Sequence, residues 1–240
     1  MKSLKKIIGI LFTFFLALAM INCENNTQKG NANTMENPTD TLDNEIQYEI
    51  YQIKDVGYIS IPNNMELQTG KAKKMAENEL KQLSNKYHYM VAVDNNRVAF
   101  RQKGINDEIS KKNTLYAGIT IQTFFGDCMA QTDDYSFTPE ELSEIDALFK
   151  QQAKELGKRA GFVIEWLGTS IVEINNGIAI MSSYIRSIDN KPNIYVDMYQ
   201  FLNKDRLHQV IISYKQKEST IWEPLFSEVI NSFHLTNIKQ

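Results

Sequence analysis

The stretch "IYVDMYQFLNKDRLHQVIISYKQKESTIWEPLFSEVINSFHL" (residues 194–235) decides the fold. Two runs rich in β-branched and aromatic residues flank the polar Asn203–Asp205, so 194–215 reads as a β-hairpin. Ile221, Trp222, Leu225, Phe226, Val229, Ile230 and Phe233 then fall on one face of a helix. Thr220 and Glu223 have the spacing of a capping box at its start. A hairpin that feeds an amphipathic helix must bury the helix stripe against something, and the sheet is the nearest apolar surface. The expectation is an α+β domain.

Working outward, "SIVEI-NNG-IAIMSSYIRS" (170–187) reads as another hairpin, turning at Asn175-Asn176-Gly177. Before it, "FTPEELSEIDALFKQQAKELGKRAG" (137–161) carries the clearest helix start in the chain. Thr138 suits the N-cap, Pro139 the first helical position, and Glu141 completes a capping box. Leu142, Ile145, Leu148, Phe149 and Leu156 form its stripe, and the helix is expected to end near Gly157 or Gly161. "TLYAGITIQTFFG" (114–126) reads as a strand. "YMVAV" (89–93) and "RVAFRQ" (97–102) flank Asp94-Asn95-Asn96 and read as a hairpin. Residues 69–87 place Ala72, Met75, Ala76, Leu80 and Leu83 at helical spacing. "IQYEIYQI" (46–53) and "GYISIP" (57–62) read as two strands about a turn at Lys54–Gly57. In the first, Ile46, Tyr48 and Ile50 alternate against Gln47, Glu49 and Tyr51, which makes the former the expected inward face. No repeat and no second linker interrupts 45–240, so one domain with a largely antiparallel sheet covered by helices is expected.

The ends of this domain resemble PsbP-like domains, including the DcrB-like group of small bacterial lipoproteins. "GYISIPNNMELQ" (57–68) is similar to their opening: an aromatic-bearing strand closed by proline and a polar turn. "HQVIISYKQKESTIWEPLFSEVINSFHL" (208–235) is similar to their close: strand, charged turn, Trp-bearing helix, Ser-Phe-aliphatic ending. Residues 103–135 have no counterpart on that template. The resemblance implies an α/β/α-type sandwich used for binding and assembly, generally without catalysis. It brings no catalytic residue to any position of this chain.

The N-terminus speaks of location. "MKSLKKIIGILFTFFLALAMIN" (1–22) has a basic start and an apolar run of about 15 residues from Ile7 to Ile21, as secretory signals have. That is short of the roughly 20 residues of a comfortable bilayer span, though a retained membrane anchor is the alternative. Instead of an A-x-A-like site, Cys23 follows at once. Met20-Ile21-Asn22-Cys23 resembles the lipobox of bacterial lipoproteins, with Asn22 departing from the usual small residue. The expectation is lipid attachment at Cys23, palmitate-like chains holding the protein to a membrane with its domain outside the cytoplasm, in the cell envelope or periplasm. Residues 23–44 are polar, without Val, Ile or aromatics, and read as a flexible tether reaching roughly 25 Å. Within it, Asp40-Thr41-Leu42 resembles a bacterial O-glycosylation acceptor at Thr41.

Chemistry is sparse. The formal charge is −3, and −6 without the first 22 residues and their three lysines; nothing predicts a nucleic-acid partner. With Cys23 lipidated, Cys128 stands alone. As a nucleophile it would need His88, His208 or His234 brought near by folding; as a buried thiol it needs nothing. A Cys23–Cys128 bridge is open only to an unprocessed chain. The histidines show no ligand spacing, so no metal or cofactor is expected. Asp133-Asp134 lack the spaced oxygens of a calcium loop, and Glu140-Glu141 suit a helix N-terminus. Tyr135, Tyr195 and Tyr199 either form a binding surface or pack on the sheet. A binding or assembly domain with an envelope protein partner or small ligand is the leading expectation. A thiol enzyme using Cys128 and a purely structural assembly role are the alternatives.

Overall fold

The computed structural model describes residues 46–70, 73, 74, 78, 97–104, 116–125, 137–160, 163–187, 191–203 and 206–236. Cys23, Thr41, His88, Cys128, Asp133, Asp134 and Tyr135 lie outside them. So do the strand expected at 89–93 and the apolar stripe expected within 69–87, of which Gly70, Lys73, Lys74 and Asn78 are described and helical.

Among the described residues ten strands, β1 (Tyr48–Ile53), β2 (Gly57–Pro62), β3 (Met65–Leu67), β4 (Val98–Gln102), β5 (Ala117–Phe125), β6 (Val163–Ile174), β7 (Gly177–Ser187), β8 (Ile194–Asn203), β9 (Arg206–Lys215) and β10 (His234–Leu235), form two sheets. Two long helices accompany them, α1 (Pro139–Ala160) and α2 (Ser219–Asn231). The larger sheet has the order β3-β4-β5-β9-β8-β7-β6, and the smaller β1-β2-β10. Every neighbouring pair is antiparallel. This is the α+β, mainly antiparallel single domain that the sequence predicts.

β9 lies at the centre of the seven-stranded sheet, and eight consecutive residues, Leu207 to Tyr214, are buried. Both of its faces are therefore covered. On one face, α2 and the small sheet close a core containing Ile59, Ile61, Phe100, Ile119, Val210 and Phe226. On the other, α1 packs on β6 through buried Ile145, Phe149 and Ala153, with Trp166 Nε1 donating to Asp146 Oδ1 at 2.8 Å. The capping box is present: Glu141 N donates to Thr138 Oγ1 and Thr138 N to Glu141 Oε2. The helix runs through Gly157 to Ala160.

The two hairpins turn where expected, with Ile174 opposite Gly177 and Asn203 opposite Arg206. Asn175 adopts φ +50° in its turn, a conformation asparagine tolerates better than most residues. Its side-chain amide also donates to Asn231 O and Phe233 O, both at 2.7 Å, so the β6–β7 turn clamps the end of α2. Asn176 exchanges two bonds with the backbone of Leu235.

β4 lies between β3 and β5. Three readings are corrected. β1 turns the other way: Ile50 is 74% exposed while Ile53 is buried and Tyr51 packs edge-on against Phe100, ring centroids 4.8 Å apart. The register explains it, because Tyr51 and Ile53 stand opposite Ile59 and Gly57, on the inward face of β2. The expected Thr220–Glu223 box is absent. Glu218 is the N-cap of α2, following a 3-10 turn at Gln216–Glu218. Glu218 Oε2 instead accepts from Trp222 Nε1 and Tyr116 N, and its other oxygen pairs with Lys215 Nζ at 3.4 Å. Finally, β6 begins at Val163 rather than near Ser170, its pairing with β7 interrupted by a bulge between Trp166 and Gly168.

Candidate functional site

β8 places Tyr195, Asp197 and Tyr199 on one face by period-two alternation, the face that α2 covers in part. Antiparallel register then builds three parallel rows across the sheet. In the middle row Ile212 stands opposite Asp197, Asp197 opposite Ser183, and Ser183 opposite Gly168. On one side runs Tyr214, Tyr195, Ile185; on the other Val210, Tyr199, Met181, Ser170. The middle row shrinks from Ile to Asp to Ser to Gly toward the β6 edge, while the flanking rows keep large side chains as far as β7 and end on β6 with Glu165 and Ser170. By side-chain size the middle row is a polar slot between rows that carry tyrosine rings, and its inner part is nearly closed to solvent, with Ser183 8%, Ile185 6% and Tyr199 8% exposed. At its edge, a Cβ built on Gly168 would meet no heavy atom within 4 Å.

A carboxylate near the inner end is the chemical centre. Ser183 Oγ donates to Asp197 Oδ1 at 2.5 Å, and the Tyr195 hydroxyl bonds the same carboxyl. Burial raises the Asp197 pKa above its ordinary value; the bonds from Ser183 and Tyr195 pull it back, and the Glu223 charge at the start of α2 adds to the rise. Tyr195 is pushed up to about 12, first by burial and then by the charge of Asp197. Tyr199 and Tyr214 are raised chiefly by burial as well. The rings of Tyr195 and Tyr214 stack with centroids 5.1 Å apart. Such perturbed groups converging in one place mark a functional-site candidate on physical grounds. At neutral pH these phenols, like any tyrosine, are protonated and can donate hydrogen bonds.

Tyr195 and Tyr199 pack on the sheet, one of the two readings open for them, and stand beside Asp197. Asp197 and Ser183 were not singled out by the sequence. Their signal was "YVDMY", an acid on the aromatic face of an alternating strand. His208 and His234 do not converge here. His208 is fully buried, its Nδ1 2.9 Å from Thr123 Oγ1 and its Nε2 3.4 Å from Asn203 Nδ2. Both ring nitrogens are engaged, as in a packing histidine. His234 stacks on Tyr58 at 4.9 Å. Among the described residues no group of three His, Cys, Asp or Glu side chains could hold a metal ion, and no helix is long and apolar enough to cross a membrane.

A second concavity, a cleft of about 210 Å³, lies where β2 leaves the small sheet, with Tyr51, Ile61 and Met65 among its lining. Glu66 on its rim accepts a bond from Gly104 N at 3.0 Å. No convergence of perturbed groups accompanies it.

No family profile matches the chain, and no curated protein matches it. Among solved structures, the chain is similar to the cyanobacterial PsbP (CyanoP) of Synechocystis sp. PCC 6803, with a TM-score of 0.45 and 12% identity over 79% of this chain and 92% of that one. It is also similar to PA94 of Pseudomonas aeruginosa, a protein of unknown function, with a TM-score of 0.39 and 9% identity over 79% and 98%.

Proposed function

We propose that this chain is a lipid-anchored protein of a bacterial cell envelope whose folded domain is a binding module, with the Asp197 slot as its recognition site. The observation that carries the reading is the register of Asp197. It sets one part-buried carboxylate with two hydroxyl donors, from Ser183 and Tyr195, beside the tyrosines of the flanking rows. Sites of this kind orient a ligand by a few fixed polar groups between apolar walls. The anchor is supported by the basic start, the short apolar run and Cys23 at its end, followed by a tether with too little apolar surface to fold.

Two experiments test the two halves. Metabolic labelling with an acyl analogue is expected to mark the protein and to lose the mark in Cys23→Ala; no incorporation overturns the anchor. A photo-crosslinking residue at Ser170, on the slot wall near the β6 edge, is expected to capture a discrete ligand or partner in the native envelope. Asp197→Asn is expected to abolish that capture. Crosslinking that is absent, or unchanged in Asp197→Asn, overturns the slot as a recognition site.

A further inference from the structure

We infer that the outer edge of β1 is a pairing surface whose occupant is a second copy of this chain, the two β1 strands running antiparallel about Ile50. The inference concerns the small sheet and is independent of the Asp197 reading.

The backbone of β1 has donors and acceptors to offer. Successive residues of a strand turn their N–H and C=O groups to opposite sides. Asn63 N donates to Gln47 O at 2.8 Å, so Gln47, and by alternation Glu49, Tyr51 and Ile53, turn toward β2. Tyr48, Ile50 and Gln52 therefore turn away from it. Two features of β2 agree. Tyr48 stands opposite Pro62, which has no N–H to give. Ser60 stands opposite Ile50 but donates its N–H to Ser232 Oγ at 2.8 Å. β1 ends the small sheet, so its outward groups meet no strand among the described residues.

Sheet edges are normally blunted, and the other edges here are. β10 has two residues and β3 three, and β6 carries the bulge between Trp166 and Gly168. β1 has six residues, pairs with β2 without a register shift and contains neither lysine nor proline. Its solvent face carries Ile50, 74% exposed, and Tyr48, 37% exposed.

The side chains choose the occupant and the register. Centred on Ile50, self-pairing sets Ile50 against Ile50, Tyr48 against Gln52 and Glu49 against Tyr51. The pairs made by Tyr48, Ile50 and Gln52 each exchange two backbone hydrogen bonds. On the solvent face the two Ile50 side chains meet, and each Tyr48 lies diagonal to the other copy's Ile50, within reach of an aromatic ring. On the inner face Glu49 meets the other copy's Tyr51, whose hydroxyl is the kind of donor it already accepts within its own strand at 3.3 Å. Centred on Glu49, the strands would set two like charges directly opposite, which is destabilising. Centred on Tyr51, they would set each Glu49 against the buried Ile53 and strip water from a carboxylate without return. An inward charge of this kind keeps foreign strands off an edge, and the chain's own β1 answers it in one register.

The adjoining cleft fits the same occupant. Glu49 and Tyr51 line it with Leu67. Leu67 shares a face with Phe100, its partner across the β3–β4 pair, yet is 37% exposed. A second Tyr51 set against Glu49 lies at the rim of that cleft. Both copies use the same edge, so the contact is isologous and assembly stops at two.

Sedimentation of the full-length chain in uncharged detergent tests this, with Ile50→Lys and Ile50→Glu as variants. The expected result is a dimer that each variant alone weakens at least about tenfold, since like charges then face each other. An equimolar mixture of the two variants is expected to restore it, which also shows both to be folded. Oxidation in a Cys128→Ala background reads the register. Ile50→Cys is expected to trap a disulfide-linked dimer above the level of the Cys128→Ala parent, because hydrogen-bonded partners lie about 5.5 Å apart at Cα, a span that a disulfide bridges. Tyr48→Cys and Gln52→Cys are expected to trap when mixed and not singly. A monomer at every concentration, a dimer indifferent to Ile50→Lys, no restoration on mixing, or Tyr48→Cys trapping alone overturns the inference. A monomer whose Ile50→Cys instead captures another protein in the native envelope also overturns it and gives the edge to that partner.

Discussion

Gly118→Ala isolates a packing relation that the sequence hides. Arg101 and Gly118 are directly opposed on β4 and β5, and the Arg101 side chain, 4% exposed, folds over its partner. Its Nη1 donates to Phe100 O at 3.0 Å and to Ile119 O at 3.4 Å, and Nη2 donates to Thr120 Oγ1 at 3.4 Å. A Cβ on Gly118 would lie 2.3 Å from Nη1 and 2.9 Å from Cζ. Glycine in a strand ordinarily costs roughly 0.5–1 kcal/mol against alanine, so on propensity alone the substitution should stabilise. Here the guanidinium must swing away. Hydrogen bonds to charged groups contribute about 1.5–3 kcal/mol each; losing one well-formed and two long ones, less the propensity gain, puts the cost at about 3 kcal/mol. Urea unfolding followed by circular dichroism reads it as a lowered midpoint at unchanged slope. The control is a double-mutant cycle with Arg101→Leu, which removes the obstructing group. In that background Gly118→Ala should be neutral within about 0.5 kcal/mol or mildly stabilising. Equal costs in both backgrounds would refute the stacking of Arg101 over Gly118 as the reason for glycine.

Four further outcomes are expected. Gln200→Met should stabilise by about 1–2 kcal/mol, because both amide ends of this fully buried side chain lack a hydrogen-bond partner among the described residues; a lower Tm would show that the amide is satisfied in solution. Asn175→Asp keeps the turn but sets a carboxylate against the Asn231 and Phe233 carbonyls, and should lower stability by about 2–3 kcal/mol in thermal melts, where Asn175→Ser should cost less. For Asp197, burial raises the folded pKa above 3.8, so the protonated form favours the fold; that contribution is complete below 3.8 and is lost as pH rises through the raised value. Asp197→Asn should therefore be the more stable protein at pH 7 and lose that advantage when melts are repeated at pH 3. Tyr184 and Tyr195, both pushed from 10.0 up to about 12, hold their protons more tightly folded than unfolded. Stability present below pH 10 should fall between pH 10 and 12, with phenolate absorbance and loss of circular dichroism rising together; phenolate appearing well before unfolding would contradict the burial.

What the sequence discloses and what it hides divide along a physical line. Thr138, Pro139 and Glu141 announce α1 because capping is a local interaction among neighbours, and Asn175-Asn176-Gly177 announces a turn because φ preference belongs to single residues. The facing of β1 is not local. Its two alternating sets both carry aromatic and branched residues, and only pairing with Ile59 and Gly57 of β2 selects Tyr51 and Ile53 as the inward set. The Thr220–Glu223 pair has the local spacing of a cap, yet Glu218 takes the position because it can also serve Trp222, Tyr116 and Lys215, two of them outside the helix.

The Asp197 site lies wholly on the hidden side of that line. Asp197, Ser183 and Gly168 are separated by 14 and 15 residues, and no motif ties them; antiparallel register alone brings them into one row. The bulge between Trp166 and Gly168 matters as much as the register, because it changes which residues of β6 face α1 and which face the slot. Without it, Trp166, which bonds Asp146 of α1, and Gly168 would stand on the same side of the sheet. One extra residue thus lets a single strand anchor a helix with its first half and turn Gly168 to the Asp197 face with its second. The facing of Gly168 is therefore a property of Leu167, the inserted residue, although Leu167 stands in none of the three rows.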